Sequence, residues 1–204
     1  MKSKIAAALF ALFAVNAAQA DVINNGNFEL GSTGWTISGD AALVGQYGGG
    51  FNWGGGTVAQ DGKYAISFNG GDSAPNGQVA QTFATTAGKS YTLSFDYGTT
   101  SPSPQSLNWG IFGVSQSVAV ASGLVTDSNP AGLLNTYTFD FVANSASSTL
   151  RFTDYSGNYT YSNDALLDNI SVNAKAAAIP EPGSLALLGL GIFGLGVARR
   201  RKAA

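Results

Sequence analysis

Apolar and polar residues alternate with a period of two through most of the middle of the chain. Tyr91, Leu93, Phe95 and Tyr97 interleave with Ser90, Thr92, Ser94 and Asp96. Tyr137, Phe139 and Phe141 interleave with Thr136, Thr138 and Asp140. Tyr64, Ile66 and Phe68 alternate with Ala65 and Ser67, and Leu150 and Phe152 with Arg151 and Thr153. Successive side chains of an extended strand point to opposite faces, so each run predicts a strand with one buried and one wet face. Val79–Phe83, Leu107–Val114, Val118–Ala121 and Leu166–Val172 are further predicted strands, with weaker signals at Trp35–Ile37 and Ala41–Val44. Gly, Asn, Ser and Pro punctuate the gaps. Between the termini nothing holds a 3.6-residue period, and no internal repeat points to a propeller or solenoid. About eight to ten short strands within residues 21–173 predict an all-β domain, a jelly-roll β-sandwich long enough to bury a two-sheet core.

The two ends follow other rules. Lys2 and Lys4 precede the apolar run Ile5–Val15, and Ala18-Gln19-Ala20 forms a small-x-small cleavage site. That order predicts a secretory signal helix over residues 1–20, with Asp21 as the first mature residue. No Cys follows the run, so lipoprotein anchoring is excluded. After a short linker, residues 174–179, the C-terminus places Pro180, Glu181 and Pro182 before the apolar run Leu185–Ala198 and the cluster Arg199, Arg200, Arg201 and Lys202. At ~1.5 Å per residue the run spans about 21 Å, short of a ~30 Å hydrocarbon core. Its terminal position, the prolines before it and the basic residues after it still predict a single hydrophobic helix, held only transiently in the membrane. Its glycines lower helix propensity further.

Composition removes whole classes of function. With no Cys and no His among 204 residues, there is no disulfide, no Cys/His zinc site and no Ser-His-Asp or Cys-His machinery. Residues 21–178 hold four basic residues against eleven acidic, a formal −7, which argues against nucleic-acid binding. No Gly-x-Ser-x-Gly, P-loop, dinucleotide fingerprint or aspartic-protease triplet occurs, and nothing marks a glycosidase carboxylate pair. The chain therefore reads as a non-enzyme.

The tail from Pro180 to Lys202 resembles the PEP-CTERM sorting signal of Gram-negative bacteria. The resemblance implies recognition by an exosortase, cleavage near Pro180-Glu181-Pro182, and export through the inner membrane to the cell surface or an exopolysaccharide-rich biofilm matrix. A plain tail anchor is the alternative. Asn25-Gly26-Asn27-Phe28-Glu29 with Gly34-Trp35, Asp61–Ile66, and the closing Leu166-Leu167-Asp168-Asn169-Ile170-Ser171-Val172 resemble galactose-binding-domain-like jelly rolls, which include carbohydrate-binding modules attached to xylanases. In those modules the opening Glu and closing Asp often hold a structural Ca²⁺. Here they are Glu29 and Asp168, with the carbonyls of Asn27 and Lys63 and an oxygen of Asp61 as further ligands. Such a donor set suits an ion that takes six to eight hard oxygens. The alternative leaves Glu29 and Asp168 as solvated turn carboxylates.

The same resemblance implies glycan binding, which needs aromatic faces for sugar rings and polar groups for hydroxyls. Tyr47 and Trp53 lie in a glycine-rich stretch, and Tyr155, Tyr159 and Tyr161 in a polar one, with Trp109 a further candidate on a sheet face. Two readings remain open: a non-catalytic module that binds exopolysaccharide, and a structural matrix or adhesion protein that binds no particular sugar. Sorting is testable directly. With Pro180, Glu181 and Pro182 replaced by alanine, the tail should stay uncut and the protein should remain in the inner membrane. Recovery of the substituted protein outside the cell at its processed mass would overturn the exosortase assignment.

Overall fold

The computed structural model describes residues 20–45, 62–69, 74–99, 103–128, 134–158, 165–176 and Gly191, together with the backbone of 51–53 and 56–58. The expected signal helix and hydrophobic tail helix lie outside the described residues, among which no helix is long and apolar enough to cross a membrane. The strands in chain order are β1 Thr36–Ser38, β2 Ala41–Gly45, β3 Phe51–Trp53, β4 Gly56–Val58, β5 Tyr64–Phe68, β6 Gln78–Ala84, β7 Ser90–Thr99, β8 Gln105–Phe112, β9 Ala119–Asp127, β10 Asn135–Val142, β11 Ser147–Asp154 and β12 Ala165–Ala174. They form two antiparallel five-stranded sheets, β1-β6-β11-β8-β9 and β10-β7-β12-β5-β2, plus the ribbon β3-β4. This is the jelly-roll sandwich that the alternation predicts.

The alternating residues meet between the sheets. Leu93, Phe95 and Tyr97 of β7 are fully buried, as are Leu107 and Ile111 of β8 and Leu150 and Phe152 of β11. Phe95 meets Phe152 edge to face at 4.9 Å, and Trp109 stacks on Phe139 at 4.4 Å, so aromatic pairs bridge the two sheets. Trp109 is thus a core residue rather than a sugar platform, because β8 carries it inward beside Leu107 and Ile111.

Some boundaries differ from the sequence reading. β9 runs to Asp127, well past Ala121, because Ser122, Leu124 and Thr126 face outward and break up its apolar run. β8 stops at Phe112, leaving Val114 exposed in the turn that follows. Trp35 precedes β1, buried, with its indole N–H donating to the Asn25 carbonyl at 2.9 Å. The ribbon β3-β4 falls where glycines hide any alternation. β12 takes in Ala174, and Lys175 donates its N–H to Ser90 and pairs with Asp140 at 2.7 Å, so the linker starts later than expected. The chain before β1 lies along β12: Asp21 bridges Asn173, and the Gly26 carbonyl accepts the Ile170 N–H at 2.9 Å.

One end of the core is polar. Asn69 and Gln105 are fully buried and bonded to each other at 3.0 Å. Asp127 accepts the Thr99 N–H at 3.2 Å and the Asn135 amide at 3.2 Å. Asp154 accepts the Asn158 amide at 2.6 Å, while its second oxygen is buried without a hydrogen bond. Burial, with help from the charge of Asp40, pushes the Asp154 carboxyl up to about 6 despite the Asn158 bond. Burial, with Asp154 and Asp127 nearby, raises the buried Tyr97 hydroxyl well above its ordinary value.

A carboxyl whose folded value exceeds its unfolded one holds its proton more tightly in the native state. Its stabilising contribution is complete at pH below about 4 and disappears as pH rises through about 6. Asp154→Asn should therefore match the wild type near pH 4 and become more stable than it by roughly 2–3 kcal/mol at pH 7. Urea melts at several pH values check this; a constant difference between the two proteins would show that Asp154 does not titrate as described.

Candidate functional site

Strand register lays a groove across the outer face of the first sheet. Thr36 faces Ala80, Ala80 faces Arg151, Arg151 faces Gly110, and Gly110 faces Ser122, one row running over all five strands. Directly opposed residues of an antiparallel pair share a face, so this row stands together on the outside. Apart from Arg151 its members are small, and it forms a trough. On one side rises the row Thr82, Thr149 and Phe112; on the other, Gln78, Thr153 and Asn108. Thr82 and Thr149 share a hydroxyl hydrogen bond at 2.8 Å, and Gln78 donates to Thr153 at 3.4 Å. Gln116 and Ser147 line the same depression.

Phe112 and Arg151 form the centre. A Cβ on Gly110 would lie 2.9 Å from the Phe112 ring, so glycine is what lets that ring lie down over the sheet. The Arg151 guanidinium carbon sits 4.4 Å from the centroid of the same ring. Among the described residues, Arg151 is the one charged side chain on this face: Asp127 and Asp154 occupy inward positions of β9 and β11 and are buried. The groove thus offers hydroxyls, amides, one aromatic face and one cation. Sequence reading missed it, taking Phe112 for an apolar strand position and Arg151 for an ordinary wet-face residue. The alternation at Leu150–Thr153 did place Arg151 on an outer face, but only pairing shows what lies beside it.

The expected Ca²⁺ residues are partly assembled. Glu29 accepts the backbone N–H groups of Lys63 and Tyr64 at 2.5 and 3.0 Å, and the Asn27 side chain accepts the Glu29 N–H at 3.5 Å. Gly62, at a positive φ of 102°, makes room for the Glu29 carboxylate, which a Cβ there would strike. Asp168 is fully buried in β12 and accepts the Asn169 N–H at 2.7 Å, so it is no solvated turn residue. Asp61 lies outside the described residues. Among those residues, no group of three or more acidic, His or Cys side chains could hold a metal.

The other expected residues are scattered or undescribed. Tyr155 follows β11, is 40% exposed and rests its ring against Gly157. Asn158, in the same stretch, clamps both backbone groups of Ser106 at 2.7 and 2.8 Å, a structural role. Trp53 contributes backbone to β3, where it pairs with Gly56. Tyr47, Tyr159 and Tyr161 lie outside the described residues, as do Ala18, Pro180, Glu181, Pro182, Arg199, Arg200 and Arg201. Ala20 is exposed, and Asp21 accepts the N–H groups of Ile23 and Val172 at 2.9 and 2.8 Å.

No curated protein matches the chain in sequence. Solved structures share its fold at low identity. A family 4 carbohydrate-binding module described as "CBM4 structure and function" is 18% identical with a TM-score of 0.51, over 75% of this chain and 99% of that one. The CBM22-1 xylan-binding domain from Paenibacillus barcinonensis Xyn10C is 16% identical with a TM-score of 0.52, over 78% and 98%. TmCBM61, solved in complex with beta-1,4-galactotriose, is 14% identical with a TM-score of 0.50, over 76% and 99%. At the C-terminus, residues 178–202 match the PEP-CTERM protein-sorting motif, which marks an exported protein sorted to the cell surface by an exosortase. Residues 21–173, three quarters of the chain and the whole of the sandwich but its last strand residue, match the profile described as protein of unknown function (DUF642), and the chain belongs to that family.

Proposed function

We propose that this protein is a non-catalytic polysaccharide-binding module that an exosortase delivers to the surface or extracellular matrix of a Gram-negative cell, where it engages exopolysaccharide of the biofilm. The observation that carries this reading is the groove: a trough of small residues crossing five strands, walled by Thr, Gln and Asn side chains, with Phe112 laid flat at its centre. Hydroxyls and amides suit sugar hydroxyls, and the planar stack of Phe112 and the Arg151 guanidinium suits the apolar face of a pyranose. An open trough admits a chain threading through rather than only a chain end. The likeness in fold to a xylan-binding domain and to a module solved with beta-1,4-galactotriose supports the same reading. The matrix setting is consistent with the sorting motif.

The groove can be blocked without touching the core. Thr149→Trp fills the trough and Phe112→Ala removes the ring. In affinity electrophoresis against a panel of bacterial exopolysaccharides, each variant should bind about tenfold more weakly than the wild type, roughly 1.4 kcal/mol, with the melting temperature of Thr149→Trp close to normal. Full retention by both variants would place binding elsewhere, and no retention of the wild type on any polysaccharide would favour a structural matrix role.

We also propose that Glu29 and Asp168, with Asp61 and the carbonyls of Asn27 and Lys63, hold a structural Ca²⁺ where the opening segment meets β5 and β12. The donor chemistry suits that ion, and Gly62 keeps the Glu29 carboxylate close to the turn that carries Lys63. The ion would cross-link segments far apart in sequence. At 100 times its dissociation constant it would add about 2.7 kcal/mol, a melting shift of roughly 5–10 °C. Glu29→Gln and Asp168→Asn should each lose most of that shift in calorimetry, while Asp140→Asn, exposed on the second sheet, should keep it. An unchanged wild-type melting temperature with and without Ca²⁺ would eliminate the site.

A further inference from the structure

We infer that the groove selects an acidic polysaccharide, and that Arg151 receives a uronate carboxylate of the bound chain; this rests on the glycan reading above and names its substrate class. Four observations converge on Arg151. It stands in the middle strand of the sheet, in the floor of the trough, and lines both ends of the depression. Its neighbours across β6 and β8 are Ala80 and Gly110, so nothing tall screens it from a ligand in the trough. Its guanidinium is held against the Phe112 ring at 4.4 Å, which orients the planar donor fork in advance. Among the described residues that fork makes no hydrogen bond and no ion pair, and its buried Nε has no hydrogen-bond partner.

An arginine that serves the fold is normally bonded to a carboxylate or to backbone carbonyls. Lys175 shows the ordinary pattern on the other sheet, paired with Asp140 at 2.7 Å. Among the described residues Arg151 has no such partner, and every other one on its face is neutral. A neutral sugar can use a guanidinium as a donor to hydroxyls, but a carboxylate matches the planar fork with two parallel charge-assisted bonds. The domain as a whole is acidic, a formal −7 over residues 21–178. It therefore repels polyanions at long range and does not collect them non-specifically, so retention of one reports the contact in the groove.

The test uses the full chain in affinity electrophoresis against polygalacturonate and alginate, each beside its carboxyl-reduced neutral derivative, with dextran sulfate as a separate arm. The wild type should bind at least one acidic polymer about tenfold more tightly than its reduced form. Arg151→Gln should bind the two forms equally, at the level of the wild type on the neutral polymer. Arg151→Lys, which keeps the charge and loses the fork, should fall between them and covers the case in which the Gln variant folds poorly. Equal wild-type binding to acidic and reduced polymers, unaffected by Arg151→Gln, would overturn this inference and leave the glycan groove standing. Retention on dextran sulfate equal to that on the uronates would overturn the carboxylate assignment. Binding of the wild type to none of these polymers, acidic or neutral, would overturn both the inference and the reading on which it rests.

Discussion

Phe95 and Phe152 meet edge to face at 4.9 Å in the space between the two sheets, and no covalent cross-link backs that contact, because the chain has no Cys. The sandwich rests on this aromatic layer, extended by Trp109 on Phe139 and by Tyr91 on Phe141. A one-residue slip of β7 or β11 would turn Phe95 or Phe152 outward and bring Ser94, Asp96, Arg151 or Thr153 into the core. Register is therefore set by burial. The same register decides the outer face: with Phe152 inside opposite Trp109, Arg151 has to stand outside between Ala80 and Gly110. Core and groove are two sides of one constraint.

The segment before β1 is held by side chains rather than by ladder pairing. Asn25, at a positive φ of 53°, donates its amide to the carbonyls of Gly31 and Thr33, accepts the Leu30 N–H, and offers its own carbonyl to the Trp35 indole. This knot buries Phe28 against Trp35 at 5.3 Å and closes one flank of the core. Gln81 reaches across from β6 to both backbone groups of Asn24 at 2.7 and 2.8 Å. Buried backbone groups need partners, and here side-chain amides supply them where no strand does. Asp21 bridging Asn173 places the start of the sandwich beside its end. The core residues all lie between Ile23 and Val172.

The groove and the polar end of the core treat charge in opposite ways. At the polar end, Asp127 is bonded to Thr99 and Asn135, and Asp154 is bonded to Asn158 while burial raises its carboxyl to about 6. Burial in a medium of low polarity makes each charge there costly unless hydrogen bonds offset it. On the outer face, water solvates a charge at little cost, and Arg151 can stay charged without a protein partner. That cation stands on a face otherwise made of neutral residues, chiefly Thr, Ser, Gln, Asn and small side chains beside Phe112 and Leu124.

The order of residues along the chain determined the strand-rich domain, its inward positions and the sorting motif at its C-terminal end, because these depend on period-two alternation and on contiguous motifs. Tyr91, Leu93, Phe95 and Tyr97 are buried as their spacing requires. The short ribbon β3-β4 and the outer half of β9 were not legible, since glycine and serine carry no alternation signal. The aromatic stretches around Tyr47 and Tyr155 stood out in sequence because their residues are contiguous. The groove did not, because its members, Thr36, Ala80, Arg151, Gly110 and Ser122, come from five strands spread over most of the domain. Only the lateral order of those strands makes them neighbours. Hydrogen-bonded pairing sets that order between distant segments, and local periodicity carries no record of it.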